Sequence, residues 1–366
     1  MAGFQDIVGH EQIIRHLKNA IFKDQVSHAY ILDGPDHSGK RMIAEAFAMA
    51  LQCGTVRQVI SGEEEPQQAT LFGLPADGGS GGVSEAARER ACRMEPCMEC
   101  RSCRQAEGHN QPDIIYVTHE KTAISVDDVR RQINQDIVIK PYSSRYKIYL
   151  VDEAEKMNVQ AQNALLKTIE EPPGYAVLIL LTTNADAFLP TVRSRCVTLR
   201  LKAVEDGLIR AFLMRRCQIP DYQADLCVAF AQGNVGQAML LASSEEFNGL
   251  KDYTLQLMRR LADIPAYSLM EELKPLKDYK ESIQVFFDLL LLLFRDVLLY
   301  KAAGQENGLI FKEQAFLVRR VAERESFAGL NQILEQIAAA RRRIRANVNF
   351  ELTLEVLLLS IKESIV

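Results

Sequence analysis

"SHAYILDGPDHSGKRMIAEAFAMALQC", Ser27 to Cys53, decides the fold. Its first part, Ser27 to Gly34, is a short apolar run suited to a buried strand. Its last part places Ile43, Phe47 and Leu51 at helical spacing. Between them "GPDHSGKR", Gly34 to Arg41, follows the phosphate-loop pattern G-x-x-x-x-G-K as far as Lys40. A strand, a glycine loop with free N–H groups and a helix N-terminus together make an anion cradle, because donors and helix dipole point the same way. Gly34, Gly39 and Lys40 are therefore candidate nucleotide-binding residues. The eighth position departs from the pattern. It wants Ser or Thr, whose hydroxyl holds the magnesium that bridges the nucleotide phosphates, and it carries Arg41. A guanidinium donates hydrogen bonds and cannot ligate a metal.

Outward from this stretch, strands and helices alternate. "DIIYVT" (113–118), "YKIYLVDEAE" (146–155), "YAVLILLTT" (175–183) and "CVTLRL" (196–201) are apolar enough for strands. "SVDDVRRQINQDI" (125–137) reads as a helix with Ser125 as its N-cap and Val129, Ile133 and Ile137 on one face. "NVQAQNALLKTIEEPP" (158–173) is another, stopped by Pro172 and Pro173. Near-continuous apolar strands between helices predict an α/β domain whose parallel sheet is covered on both faces. Asp152 and Glu153 end one such strand, at the carboxyl edge where open α/β sheets bind ligands. In a phosphate-loop enzyme the first acid orients magnesium and its water, and the second polarises the attacking water. An acidic pair that only caps the next helix is the plainer alternative, and the loop in the same chain favours the nucleotide fold.

After about Lys202 the strands cease. The expected division is an α/β domain over 1–202, a small helical domain over 203–244 and an all-helical domain over 245–366. Gly54 to Ala91, containing "GEEEPQQATLFGLPADGGSGG", lacks periodicity and is expected to be a disordered insertion.

Bulk properties exclude several classes. Hydrophobic residues at 48% and charged residues at 25% of 366 belong to an ordinary globular protein, not a disordered one. A net charge of -5 gives no global attraction to nucleic acid, so any such contact must be local. The most apolar stretch, Val285 to Tyr300, is interrupted by Asp288, Arg295 and Asp296, so a buried helix is expected and a membrane span is not. "MAGFQDIVGHEQ" has neither the basic start nor the apolar segment of a secretion signal, and a cytoplasmic location is expected.

"CRMEPCMECRSC" places Cys92, Cys97, Cys100 and Cys103 in one turn-sized segment. Successive C-x-x-C spacings let thiolates converge on one tetrahedral ion, and zinc is the usual occupant. Without a secretion signal, disulfides explain the 8 cysteines less well. By spacing alone the fourth ligand is either Cys92 or Cys53, at the end of the helix after the phosphate loop. Cys196, Cys217 and Cys227 lie among apolar neighbours and are expected to pack as small hydrophobes.

With these motifs stands a wider set: "FQDIVGHEQIIRHLKNAI" (4–21), "LPTVRSRC" (189–196), "GNVGQA" (233–238) and "RRRIRANVNFELTLEVLLL" (341–359). In this order, and over most of the chain outside the insertion, they resemble the bacterial clamp-loader AAA+ family. The resemblance implies a RecA-like AAA+ domain with a zinc module, a small helical lid and a helical collar that oligomerises. It implies a pentamer that opens a ring-shaped sliding clamp and closes it around primed DNA. The partners would be gamma/tau and delta subunits, the beta clamp and primer-template DNA, and no membrane. By position it makes Cys53, Cys97, Cys100 and Cys103 the zinc ligands, with Cys92 belonging to the insertion.

The resemblance also bears on activity. Hydrolysing members carry a sensor arginine where this chain has Gln237, and Arg41 has already replaced the magnesium hydroxyl. Both departures imply a subunit without its own ATPase, whose Gly34, Gly39, Lys40, Asp152 and Glu153 form a vestigial nucleotide site with doubtful ATP binding. Arg195 in "SRC" matches the family's arginine finger, which acts in trans on a neighbour's nucleotide; Arg193 stands beside it. Arg341, Arg342, Arg343 and Arg345 could meet phosphates, and ion pairs in a collar are the favoured use. Two rival readings remain. A gamma/tau-type motor predicts Ser or Thr at position 41. A zinc-dependent DNA-binding AAA+ protein predicts a strongly basic surface.

Overall fold

The computed structural model describes residues 3–61, 84–118, 123–306 and 308–365. Five strands, β1 (Ala29–Asp33), β2 (Ile114–Val117), β3 (Lys147–Val151), β4 (Ala176–Thr182) and β5 (Val197–Arg200), form one parallel sheet in the order β2-β3-β4-β1-β5. This is the RecA-like AAA+ arrangement anticipated from the sequence. Strand β4 is inserted between β1, which leads into the phosphate loop, and β3, which ends in the acids. The register pairs Ile31 with Leu180 and Leu150 with Ile179, so loop and acids emerge on the same edge of the sheet.

The helices around the sheet are α1 (Glu11–Phe22), α2 (Lys40–Gln52), α3 (Gly54–Ser61), α4 (Glu85–Cys92), α5 (Arg101–Glu107), α6 (Val126–Val129), α7 (Val159–Glu170) and α8 (Pro190–Arg193). Alternation along the strands divides the core in two. Tyr30, Leu32, Ile148, Leu150, Ile179 and Leu181 pack on one face with Leu17 of α1 and Ile43 and Phe47 of α2. Ala29, Ile31, Tyr149, Val151, Leu178 and Leu180 pack on the other with Ile133 and with Leu165 and Ile169 of α7. Leu180 is fully buried, so its truncation to Ala would cost about 2–5 kcal/mol.

Ser125 caps α6 as expected: its Oγ accepts the Asp128 N–H, and the Asp128 carboxylate accepts the Ser125 N–H. Val129, Ile133 and Ile137 are buried on one face, although residues Arg130–Asn134 are wound as a π-turn.

The expectation for Gly54 to Ala91 needs correcting. Residues 54–61 and 85–92 are helical and reach the core through Val56, Ala87 and Ala91. Ser84 caps α4 by accepting the Ala87 N–H. Order arises here because Val56, Ala87 and Ala91 are buried in the same core as Cys53, Cys97 and Cys103. The Gly- and Glu-rich middle of that stretch, 62–83, lies outside the described residues.

The chain divides into two units, Met1–Glu205 with Gly233–Gly236, and Asp206–Gln232 with Gln237–Val366. The second is helical, comprising α9 (Asp206–Arg216), α10 (Asp221–Ala231), most of α11 (Val235–Ser243), α12 (Glu245–Arg260), α13 (Leu269–Glu272), α14 (Ile283–Ala303), α15 (Ala315–Arg324), α16 (Phe327–Arg345) and α17 (Phe350–Ile365). The apolar stretch 285–300 lies within α14, which buries Phe286, Phe287, Leu290 and Phe294. Asp296 is fully buried and accepts the N–H groups of Ile310 and Phe311, both at 2.8 Å, so it pins the segment that follows the helix. Among the described residues no helix is long and apolar enough to cross a membrane.

Candidate nucleotide pocket and cysteine centre

Gly39, the N-cap of α2, has φ of +92°, a backbone conformation that strains any residue with a Cβ. A Cβ at Gly34 would sit 2.9 Å from the Cβ of Leu201. The Gly34 N–H donates to the Thr182 carbonyl at 3.1 Å, which fixes the loop to the end of β4. Lys40 is buried and turns back on the loop, its ammonium donating to the carbonyls of Gly34 and Pro35. The turn of "GNVG" closes over the loop: the Gly236 N–H donates to the His37 carbonyl at 3.1 Å, and a Cβ at 236 would stand 2.2 Å from that oxygen. Asn234 Nδ2 donates to the Asp36 carbonyl at 2.6 Å. Gln237, the next residue in sequence, belongs to the second unit.

Arg41 occupies the first turn of α2. Its Nε donates to Glu45 at 2.9 Å, its Nη1 lies 3.8 Å from Asp152, and its guanidinium sits 5.8 Å from the centre of the Tyr116 ring. Burial, and secondarily the Glu45 charge, push the Tyr116 phenol up to about 12. Asp152 also accepts the Glu153 N–H at 3.0 Å, and Glu153 pairs with Lys156 at 2.6 Å from a left-handed backbone position. The structure therefore brings Lys40, Arg41, Asp152 and Glu153 to one sheet edge. Sequence reasoning missed Glu45, Tyr116 and Thr183, whose hydroxyl donates to Glu155 at 2.8 Å. Glu45 was detectable as the i+4 partner of Arg41; the other two meet the site only through the sheet.

Cys53, Cys97, Cys100 and Cys103 converge, with their Sγ atoms all within 4.8 Å of one another. The C-terminal end of α2 supplies Cys53, the turn leading into α5 supplies Cys97 and Cys100, and the first turn of α5 supplies Cys103. The set fits a tetrahedral ion: a Zn–S bond of about 2.3 Å implies sulfurs about 3.8 Å apart, and Cys97 and Cys103 stand at 3.9 Å. The N–H groups of Cys97, Cys100 and Cys103 point at the sulfurs of Cys53, Cys97 and Cys100, at 3.4, 3.3 and 3.5 Å. Such donors favour thiolate over thiol. The thiols of Cys100, Cys103 and Cys53 hold Cys97 well below the usual thiol range. Cys92 is exposed and outside the group. Of the remaining cysteines, Cys227 is buried, and Cys196 and Cys217 are half-buried.

Arg195 follows α8 on an exposed turn. It donates to the Thr191 carbonyl at 3.0 Å and pairs with Glu170 at 3.1 Å. Arg193 is held separately by Asp186 at 2.7 Å. In the second unit Arg341 pairs with Asp288 at 2.8 Å and donates to Gln284, whereas Arg342, Arg343 and Arg345 are exposed.

Comparison with known proteins gives consistent results. A family described as DNA polymerase III, delta subunit, is matched over residues 9–68 and 63–205, and one described as DNA polymerase III, delta subunit, C terminal, over 250–363. The DNA polymerase III subunit delta′ of Bacillus subtilis is 26% identical over 361 residues, covering 96% of each chain. Subunit tau of the same organism is 27% identical over 330 residues, 84% of this chain and 52% of its own length. Subunit tau/gamma of Haemophilus influenzae is 31% identical over 210 residues, 57% of this chain and 25% of its own. The chain thus spans about half or less of the tau-type relatives and nearly all of the delta′ relative. Among solved structures, a gamma-subunit-related protein of Thermotoga maritima gives a TM-score of 0.40 at 20% identity, covering 96% of this chain and 99% of its own. The RuvB branch migration motor of that organism gives 0.40 at 15% identity, covering 69% and 64%.

Proposed function

The chain belongs to the DNA polymerase III delta-subunit family, and from that premise we propose that it serves as the delta′ subunit of a clamp loader. It helps load a sliding clamp onto primer-template DNA, in company with gamma/tau and delta subunits, in the cytoplasm. Residues 203–244 act as a lid and 245–366 as the oligomerising collar. The near end-to-end match with a delta′ subunit supports this assignment over a gamma/tau motor.

The observation that carries the rest is Arg41. At the position of the magnesium-binding hydroxyl stands a cation, paired with Glu45 and facing Asp152. A guanidinium beside the acid that would orient magnesium repels that ion and supplies no oxygen to hold it. The chain therefore has no ATPase of its own. Arg195 instead supplies an arginine finger to a neighbouring subunit, where it stabilises charge on the transferring phosphoryl group. Cys53, Cys97, Cys100 and Cys103 hold one zinc ion, which ties α2 to α5 and leaves no open position for catalysis.

The test is reconstitution. The purified chain should release phosphate from ATP at background rate, and a complex assembled with motor, delta and clamp proteins should need it for loading. Hydrolysis by the isolated chain, stimulated by primed DNA, would point to the gamma/tau-type reading. Tight DNA binding that persists at high salt would point to a dedicated DNA-binding protein.

A further inference from the structure

Beside the cysteine group, and within the first unit, lies a cleft of about 390 Å³ to which no role has been assigned. Arg57, Arg101 and Arg145 line it together with Ser102, Ser144 and Tyr142, and among the described residues no Asp or Glu does. That is unusual in a chain of net charge -5. Arg145 is neutralised by Asp24 at 2.6 Å. Arg57 and Arg101 are exposed, and among the described residues their guanidinium groups have no partner. Two cations without a partner among the described residues thus line one concavity.

The hydroxyls point the same way chemically. Gln111 is buried, and its Nε2 donates to Ser102 Oγ at 2.6 Å and to Ser144 Oγ at 3.2 Å. Both hydroxyls are used as acceptors there, so each has its own proton to give to an occupant. At the rim Tyr142 is 88% exposed, on a backbone that is fixed. The buried Asp113 carboxylate accepts the N–H groups of Tyr142 and Ser143 at 2.6 and 2.8 Å, and the Ser143 hydroxyl at 3.0 Å. An exposed aromatic ring on an anchored backbone thus shares the cleft with two arginines and two hydroxyls.

We propose that this cleft binds a single strand of nucleic acid, with backbone phosphates against Arg57, Arg101 and the serines, and a base stacked on Tyr142. Acidic side chains of a protein would satisfy the arginines and leave the ring unused. A phosphodiester strand uses both, because every unpaired base has a face to stack. The site is separate from the phosphate loop, and it stands whether or not the chain is a delta′ subunit.

Fluorescence anisotropy of the full-length, zinc-loaded chain with a labelled oligodeoxythymidine tests the proposal. Arg57→Glu with Arg101→Glu should weaken binding at least about tenfold and lower the salt slope by about 1.4, about 0.7 for each lost phosphate contact. Tyr142→Ala should weaken binding on the order of tenfold and leave that slope unchanged. Zinc content and thermal melt report the fold; if the Glu pair fails them, Arg57→Ala with Arg101→Ala is read in the same way. Binding that is indifferent to the arginines overturns the proposal. So does capture of polyglutamate in preference to the oligonucleotide, which would make the cleft a protein contact.

Discussion

Arg41 and Asp152 face each other at 3.8 Å between the first turn of α2 and the end of β3. Arg41 is a cation at the position where the phosphate-loop pattern places the hydroxyl that recruits one. Arg41→Thr should free Asp152 and Glu45, yet on the proposed reading the isolated variant should still show background phosphate release, because Gln237 stands where the resemblance implies a sensor arginine. A variant that turns over ATP on this single change would show that Arg41 alone silences the site.

Metal analysis should find one zinc per chain. Cys53→Ser and Cys97→Ser should each lose it, whereas Cys92→Ser should keep it. Loss of zinc should also lower the melting temperature, because Cys53, Cys97 and Cys103 are part of the core that packs on α2. Retention of zinc by Cys53→Ser, with loss in Cys92→Ser, would reverse the choice of fourth ligand.

Arg195→Ala should leave folding and assembly intact, since the side chain lies on an exposed turn and its pair with Glu170 is a surface contact worth little. ATP hydrolysis by the assembled complex should fall in part, because one neighbouring site loses its transition-state cation, an effect of about 10³–10⁵ at that site. Arg195→Lys should rescue poorly, since an ammonium lacks the planar pair of donors. Glu170→Gln removes only the resting partner of Arg195, and loading by that variant should be unimpaired. Equal rates for wild type and Arg195→Ala would leave the residue without a catalytic part.

Asp296→Ala should destabilise the second unit by about 2–4 kcal/mol, measured by denaturant unfolding, because it strands one buried and one half-buried N–H donor. Asp296→Asn keeps one acceptor oxygen and should cost less. Burial holds the Asp296 carboxyl above its ordinary range despite the two backbone donors. Its contribution to stability is therefore fully present below the unfolded carboxylate range and declines as pH rises through the folded value.

What the sequence disclosed depended on how local the signal was. The strand, glycine loop and helix of 27–53 declare themselves within one window, and so do two C-x-x-C spacings. The Arg41–Glu45 pair was equally local but was overlooked beside the missing hydroxyl. Asp152 and Tyr116 reach Arg41 only because β2 and β3 lie in one sheet, and no periodicity encodes that distance. Residues 54–61 and 85–92 were misread because an intervening glycine- and glutamate-rich run dominates any average of composition, whereas their order rests on Val56, Ala87 and Ala91. The anchoring of Tyr142 by Asp113 was invisible for the same reason as the Asp152 contact.

Lys40 donates to the carbonyls of its own loop, and the Gly236 N–H of the "GNVG" turn donates to the His37 carbonyl of the same loop. A cradle that satisfies itself gains nothing from being filled. Its melting temperature should therefore not climb with added ATP or ADP, as that of a true nucleotide receptor must by mass action. On the proposed reading, this loop would hold one conformation through feast and starvation alike.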